Sequence, residues 1–352
     1  MSGHKYEELA RWLRQGIQNG TYQTGQRLPS ENELTQTTGY SRQTVRQAMA
    51  ILENEGLTDR VRGSGTYVRS QVPSRRRTHN IAVVTTYIGE YIFPDILRGI
   101  DGVLSGNGYT QLLSATGNRV DRERQILEDL RQKPIDGLIV EGTKTALPNP
   151  NIDLYAYFDE QRIPVVFING FYPDLTSPVY VVADDRAGGR LACERLLKQG
   201  HRRIAGVFKN DDIQGHRRYA GYLQALTEAG IPVDDDHVLW YATETRDDLI
   251  LSQAQRLLEG CTAVVCYNDE AAMQLLRHPA SDGVEVISFD HSTFAQLSSF
   301  YSLANPKEEI GRLAAEKLLH LLDGQSVESA VLPWRMPEDI SSLSVTNGNN
   351  TI

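Results

Sequence analysis

The pattern of apolar and polar positions over the first 70 residues predicts three short helices and a β-hairpin. Apolar side chains recur at helical spacing over residues 5–18, which predicts the first helix. Ser30 and a glutamate three residues later form a capping box, which opens a second helix that ends at Gly39. Ser41 precedes a third helix with one apolar face, and residues 57–68 alternate around a Gly-Ser-Gly turn, as a hairpin does.

Beyond residue 80 the pattern changes to short apolar runs separated by amphipathic stretches of helical length. Alternating β and α units with unbroken apolar strands predict parallel sheets that are covered on both faces. Because this region is longer than one sheet usually requires, we expect two doubly wound lobes. The predicted strands are at 81–86, 109–114, 136–141, 164–169, 203–208, 262–267 and 284–289.

A polar stretch at residues 69–80 separates the two regions. It lacks apolar periodicity and contains three consecutive arginines, as a linker does. We therefore predict a multidomain protein with an α+β winged helix-turn-helix domain at 1–70, a linker at 71–79 and a two-lobed α/β domain at 80–352.

Charge also divides the chain. It has 36 Lys and Arg against 45 Asp and Glu, a formal net charge of −9. Residues 1–77 hold 12 of these basic and 7 of these acidic residues (+5), which leaves 24 against 38 (−14) for residues 78–352. A basic segment on an acidic body indicates an arm that binds a polyanion such as nucleic acid.

Composition and motifs exclude several classes of protein. Three scattered cysteines do not form a disulfide framework, and no apolar run is long enough for a membrane helix or a signal peptide. We therefore expect a cytoplasmic protein without a membrane partner. Because phosphate loops, dinucleotide fingerprints, metal-ligand spacings and nucleophile–base spacings are missing, we expect no cofactor, no metal and no enzymatic activity. A sugar isomerase or hydrolase, and a transport-type binding protein, remain the alternatives from other classes.

The third helix and the hairpin carry residue types that bind DNA. Arg pairs with guanine and Gln with adenine at base edges, and a basic hairpin with a glycine tip suits phosphates or the minor groove. The motifs GQRLPSENEL (25–34), SRQTVRQAM (41–49) and LTDRVRGSGTYV (57–68) resemble the GntR family of bacterial regulators. Several members have Arg where this chain has Asn32. The helix chemistry and the resemblance together assign DNA contacts to Asn32, Arg42, Gln43, Thr44, Arg46, Arg62 and Gly63.

Polar residues follow several of the predicted strands of the large domain. In open α/β sheets, ligands bind beyond the carboxyl ends of the strands. Glu141, Asn169, Asn268 and Asp290 all lie at such ends, and aromatic residues are close in sequence. Carboxylate and amide groups beside aromatic rings suit a neutral polyhydroxylated molecule, because hydroxyls pair with the former and C–H faces pack on the latter.

The large domain resembles the effector domain of LacI/GalR-type regulators, which is similar to periplasmic binding proteins. The likeness is carried by DGLIVEGTK (136–144), ADDRAGG (183–189), GHRRIAGVF (200–208), YNDEAA (267–272) and VISFDHSTFA (286–295). The tail PEDISSLSV (337–345) departs from the family, which usually has an Arg there. The resemblance implies effector contacts from Tyr91, Phe93, Glu141, Lys144, Asn169, Asp184, Arg218, Asn268, Asp290 and Asn305.

These features predict a sugar-responsive transcriptional repressor. The resemblance implies a homodimer that binds palindromic operator DNA and is released from it by a small sugar, with L-arabinose as the first candidate. Another pentose or a hexose as effector is the alternative within this architecture.

Overall fold

The structure of the chain is a computed structural model that describes residues 5–18, 20–61, 64–68, 77–89, 92–298 and 300–337. The chain divides into two compact units, Met1–Arg77 and Thr78–Ile352. Among the described residues, no helix combines the length and the apolar character that crossing a membrane requires.

The first unit consists of three helices and a hairpin, as predicted. Ser30 forms the predicted capping box with Glu33, and Gly39 ends the second helix with a φ of 72°. Residues 25–28 pair along the second strand of the hairpin, where the amide of Leu28 donates to the carbonyl of Thr66 (2.8 Å). The elements are α1 (Lys5–Gln18), α2 (Glu31–Thr38), α3 (Arg42–Asn54), β1 (Thr58–Val61) and β2 (Gly65–Val68).

The second unit alternates strands and helices, apart from two consecutive strands at 165–168 and 179–183. Its α-helices and strands are, in chain order, β3 (Asn80–Thr85), α4 (Phe93–Leu104), β4 (Thr110–Ala115), α5 (Val120–Arg131), β5 (Gly137–Val140), α6 (Ile152–Glu160), β6 (Val165–Ile168), β7 (Val179–Ala183), α7 (Asp185–Lys198), β8 (Ile204–Lys209), α8 (Ile213–Glu228), β9 (Val238–Tyr241), α9 (Arg246–Leu257), β10 (Ala263–Cys266), α10 (Asp269–Leu275), β11 (Glu285–Phe289), α11 (Thr293–Leu297), β12 (Tyr301–Leu303), α12 (Lys307–Leu322) and β13 (Ala330–Leu332).

These strands form two separate parallel sheets. Lobe A has the strand order β13-β7-β6-β5-β3-β4, and lobe B has the order β12-β11-β10-β8-β9. Parallel strands need crossover connections, which helices provide in most cases; β6 and β7 are joined by the segment 169–178, which contains no helix. The chain passes between the lobes after β7, after β12 and after β13, where Arg335 pairs with Ala304 next to β12. The predicted two-lobed α/β architecture is confirmed.

Glycines allow two pairs of helices to pack closely. A Cβ on Gly99 of α4 would overlap the carbonyl oxygen of Glu308 at α12, and one on Gly311 would overlap that of Ile96. Gly189 and Gly221 play the same part between α7 and α8. The first pair covers one face of the lobe A sheet, and the second covers one face of the lobe B sheet.

All seven predicted strands are present. The structure adds β7, β9, β12 and β13, which the apolar runs did not identify. Most of the unusual tail, 338–352, lies outside the described residues, as does most of the predicted linker.

Candidate functional site

A cleft between lobes A and B is lined by the carboxyl ends of strands from both sheets. Its volume is about 230 Å³, below the roughly 300–1,000 Å³ of pockets for drug-sized ligands. It therefore suits a small molecule. The lining residues are Thr86, Tyr87, Ile92, Phe93, Asn118, Glu141, Gly142, Asn169, Ala183, Asp185, Lys209, Asp212, Gln214, Arg218, Arg246, Tyr267, Asn268, Glu270, Asp290, Asn305 and Trp334.

Glu141 is the central acidic group on the lobe A side. It follows β5 directly and is 6% exposed. Its Oε2 accepts hydrogen bonds from the amide of Thr86 (2.8 Å) and from the hydroxyl of Thr86 (2.5 Å). Its Oε1 accepts from Asn169 Nδ2 (2.7 Å). Burial raises the pKa of Glu141, although these donors oppose the shift.

Arg218 of α8 is the corresponding group on the lobe B side. Its Nε donates to Asp185 Oδ1 (2.8 Å), and its Nη1 donates to the carbonyl of Tyr267. The rings of Tyr267, Phe289 and Trp334 lie 4.6 to 4.8 Å from the guanidinium carbon, within cation–π range. Burial raises the pKa of Asp185 to about 6, although Arg218 opposes the shift. This arginine is therefore held rigidly between an acid and three rings.

Each cation that lines the cleft has a carboxylate partner. Lys209 pairs with Asp212, and Arg246 pairs with Glu270 at 2.8 Å. Arg218 has the partner described above. Although burial alone lowers the pKa of Lys209, the neighbouring carboxylates raise it overall. Among the lining residues that the structure describes, no cation is left to neutralise a phosphate, which favours an uncharged ligand.

Three buried polar atoms of the cleft have no hydrogen-bond partner among the residues that the structure describes. They are Gln214 Oε1, Asn305 Oδ1 and Trp334 Nε1. Leaving a buried donor or acceptor unsatisfied costs about 1–3 kcal/mol, and such atoms cluster here in one cleft. Two acceptors and one donor match the hydroxyl groups of a polyol, which donate and accept.

Polar contacts bridge the two lobes at the rim of the cleft. Asn118 Nδ2 donates to Thr243 Oγ1 (2.6 Å), and Lys144 Nζ donates to Glu244 Oε1 (2.6 Å). Thr145 Oγ1 accepts from the amide of Ile213 (3.0 Å). The two lobes are therefore in direct contact around the cleft.

The structure brings most of the predicted effector residues together, with two corrections. Asp184 does not line the cleft, because its carboxylate accepts from the amide of Ala187 (3.0 Å) and caps α7; the next residue, Asp185, lines it instead. Lys144 lies at the rim and is paired with Glu244. Tyr91 lies outside the described residues. The predicted residues in the lining are Phe93, Glu141, Asn169, Arg218, Asn268, Asp290 and Asn305.

Sequence reasoning missed several lining residues. Gln214 is in the first turn of α8, five positions after β8 ends at Lys209, so the strand-end rule could have included it only if extended to the start of the next helix. Asp185 directly follows Asp184, which caps α7. Recognising this cap in the sequence would have assigned Asp184 to the helix start and left Asp185 as the candidate for the cleft. Trp334 follows β13, an edge strand of three residues, and had no positional signal in the sequence.

The candidate DNA-binding face of the first unit is at the start of α3. Ser41 caps this helix by accepting from the amide of Thr44 (3.2 Å). Arg42, Gln43 and Arg46 are exposed, whereas Thr44 is half-buried. The cap fixes the start of the helix, from which these three long polar side chains extend into solvent.

Glu31 at the start of α2 ties this face to the hairpin. Its carboxylate accepts from Arg46 Nε (2.8 Å) and from Arg60 Nη2 (3.3 Å). Asn32 is exposed beside it. The predicted contacts Arg62 and Gly63 lie outside the described residues.

Two family models match the chain. The model described as "Periplasmic binding proteins and sugar binding domain of LacI family" matches residues 78–347. The model of "Bacterial regulatory proteins, gntR family" matches residues 5–68.

Curated relatives match almost the whole chain. The "Arabinose metabolism transcriptional repressor" of Geobacillus stearothermophilus is 38% identical over 338 residues, which cover 92% of this chain and 93% of the relative. The protein of the same name from Halalkalibacterium halodurans is 36% identical and covers 91% and 89%. Among solved structures, the transcription regulator CcpA of Lactococcus lactis has a TM-score of 0.64 at 27% identity, covering 73% of this chain and 96% of that one.

Proposed function

The chain belongs to the LacI-type family of regulators with a periplasmic-binding-protein-like domain and carries a GntR-family DNA-binding domain, and from this we propose that it is a repressor released from its operator by L-arabinose. Its relatives are named as transcriptional repressors, which makes it a regulator rather than an enzyme. A regulator of this kind acts on DNA in the cytoplasm.

The observation that carries the choice of ligand is a set of buried polar atoms that lack a partner among the described residues, in a cleft whose described cations are all paired. Gln214, Asn305 and Trp334 present two acceptors and one donor. A neutral sugar satisfies them, whereas a sugar phosphate would bring a charge with no partner among the described lining residues. The rings of Phe93 and Trp334 line the cleft and suit the C–H faces of a sugar ring.

L-Arabinose is favoured because two relatives that match 92% and 91% of this chain are named for arabinose metabolism. The cleft volume of about 230 Å³ supports a monosaccharide. Another pentose or a hexose remains the alternative, because hydroxyl configuration decides between sugars of similar size.

On the DNA, we propose that Arg42, Gln43, Thr44 and Arg46 read the major groove from the start of α3. Asn32, Arg62 and Gly63 would contact the backbone or the minor groove beside it. Lys and Arg that neutralise phosphates make affinity fall with salt. Two copies of the chain would bind a palindromic operator, since two-fold protein symmetry matches half-site symmetry.

A calorimetric panel with the full chain tests the ligand assignment. We expect L-arabinose to bind more tightly than its C4 epimer D-xylose, D-ribose and D-glucose, because the unsatisfied atoms occupy fixed positions. A phosphorylated pentose should not bind. Tighter binding of another sugar would reject L-arabinose, and tighter binding of the phosphorylated compound would reject the neutral-ligand assignment.

A further inference from the structure

We propose that Asp136 is a positioning residue that anchors the end of the linker to lobe A and thereby couples sugar binding to DNA release. This inference rests on the proposed function. The chain passes from the first unit to the second once, at Arg77–Thr78. Any displacement of lobe A that reaches the DNA-binding unit along the backbone must therefore pass through Thr78 and the residues that hold it.

Asp136 holds this entry point with both carboxylate oxygens. It is 7% exposed and precedes β5. Oδ1 accepts from the amide (2.9 Å) and from the hydroxyl (2.9 Å) of Thr78. Oδ2 accepts from the amides of Thr78 (3.0 Å) and His79 (2.9 Å). One buried side chain thus binds two consecutive residues at the start of the second unit.

The backbone at the entry point is held in an unusual conformation. His79 has a φ of 57°, which is uncommon for a residue with a side chain. Its carbonyl accepts from the amide of Thr110 (2.7 Å), and its ring lies 5.1 Å from that of Tyr109. Such a conformation persists where the surroundings determine it strongly. The entry point is therefore fastened to lobe A from two sides.

The same pair of strands connects this anchor with the sugar cleft. β3 and β5 are parallel neighbours from Ile81–Gly137 to Val84–Val140. Asp136 fastens the start of β3 at the linker end, and Glu141 fastens its other end through Thr86. At ~3.3 Å of rise per residue, the backbone positions of Asp136 and Glu141, at the two ends of β5, are about 17 Å apart.

This arrangement makes the entry point part of the rigid body that contacts the sugar. Packed interiors transmit displacement because they compress little. If Asp136 releases Thr78 and His79, residues 78–80 can absorb a movement of lobe A instead of passing it to the linker. The cleft then keeps its affinity for sugar and the first unit keeps its affinity for DNA, while the effect of sugar on the operator affinity falls.

The test uses the full chain and measures the coupling directly. Fluorescence anisotropy gives the operator Kd without sugar and with saturating L-arabinose, and calorimetry gives the sugar Kd. Asp136→Asn removes the charge at constant size, and Thr78→Val removes the hydroxyl bond but keeps the backbone bonds. Asp129→Asn, on the exposed face of α5 in the same lobe, is the matched control.

We expect the wild-type operator Kd to rise with sugar by a factor in the usual range of about 5 to 150. Asp136→Asn should bring this factor to within about twofold of unity while both sugar-free operator binding and sugar binding stay near wild type. Thr78→Val should give an intermediate factor, and Asp129→Asn the wild-type factor. Retained sugar binding shows that the variants are folded. A purely structural role of Asp136 would change folding or the two affinities, and would not change the sugar-dependent factor by itself.

An unchanged factor in Asp136→Asn would overturn the coupling role. If that variant fails to fold, an unchanged factor in Thr78→Val would overturn it instead. If the operator Kd of the wild type does not respond to the sugar, the proposed function is rejected, and this inference with it. If the wild type responds and Asp136→Asn responds equally, only this inference is rejected.

Discussion

Gln214 illustrates how a single buried atom defines the ligand at the residue scale. Its Oε1 is buried in the cleft and has no partner in the described part of the chain, so a bound sugar hydroxyl gains a hydrogen bond at little cost. Asp184 and Asp185 illustrate the limit of sequence reasoning at this scale. Neighbouring residues of one type point in different directions, and only the cap of α7 decides which of them lines the cleft.

Gln214→Leu should weaken sugar binding by roughly five- to tenfold, the loss of about 1 kcal/mol from one neutral hydrogen bond. Stability should be unchanged or higher, because the variant removes an unsatisfied buried acceptor. Calorimetry and urea unfolding measure the two effects. Gln224→Leu, at a half-buried position later in the same helix where the side chain donates to Glu228, is the control. Unchanged sugar affinity in Gln214→Leu would exclude this contact.

Arg218 is a poor choice for the same experiment. Removing it would leave Asp185 buried without its cation, which costs about 3–5 kcal/mol. Loss of sugar binding in an Arg218 variant would therefore not separate ligand contact from damage to the fold.

Asp269 in lobe B should make stability depend on pH. Its carboxylate accepts from Ser302 Oγ (2.5 Å) and from the amide of Ser292 (2.7 Å). Burial, with the nearby Asp290, raises its pKa from 3.8 to about 6. Because the pKa is higher in the folded state, the folded protein keeps a proton on Asp269 between pH 3.8 and about 6, whereas the unfolded chain has lost it. This contribution to stability, about 3 kcal/mol, is present at low pH and is lost as pH rises through that interval.

Asp269→Asn does not titrate, so its unfolding free energy should increase relative to wild type as pH rises from about 4 to about 7. Urea unfolding at several pH values measures this difference. A difference that is constant across that range would show that the carboxyl has an ordinary pKa in the folded protein.

Close helix packing is the feature that decides stability at the scale of elements. Gly311 of α12 lies against the backbone of α4 at Ile96. Gly311→Ala should lower the unfolding free energy by about 1–3 kcal/mol or more, because backbone atoms cannot move aside easily. Gly102→Ala in α4 is the control: its Cβ would meet open space, so a gain of roughly 0.5–1 kcal/mol is expected. Equal effects of the two substitutions in thermal unfolding would contradict the packing.

Glu31 connects α2, α3 and the hairpin in the first unit. It holds Arg46 and Arg60, two cations that would otherwise be available to phosphates. Glu31→Gln should therefore strengthen binding to random DNA and reduce the preference for operator. The slope of log affinity against log salt should steepen by roughly 0.9 for each phosphate newly contacted.

Anisotropy titrations with operator and random duplexes at several salt concentrations measure both effects. Glu53→Gln, at the exposed far end of α3, is the control. Unchanged affinity for random DNA in Glu31→Gln would show that the carboxylate does not restrain the arginines.

The strands themselves were only partly predictable. Six of the seven runs found in the sequence became central strands, which are buried and therefore apolar along most of their length. The seventh became β4, an edge strand of six residues that is long enough to stand out. β9, β12 and β13 are edge strands of three or four residues, whose apolar signal is too short to stand out. β7 is different, because it is a central strand whose apolar run at 179–183 has the same pattern as the predicted strands and could have been predicted with them.

At the scale of the whole molecule, the sequence indicated a basic DNA-binding unit and an acidic two-lobed unit, and both are present. The contacts between the lobes were not predictable. Asn118 and Thr243, or Lys144 and Glu244, are more than 90 positions apart in sequence and meet only because two independent sheets face each other. Periodicity describes each element by itself and carries no information on such distant pairs.

Sugar and operator DNA are expected to bind the same molecule with opposing preference. This is measured most directly by the sugar Kd of the full chain, determined by calorimetry with and without saturating operator duplex. We expect operator to weaken L-arabinose binding by the same factor by which L-arabinose weakens operator binding, because binding linkage is reciprocal. An identical sugar Kd in the two titrations would contradict it.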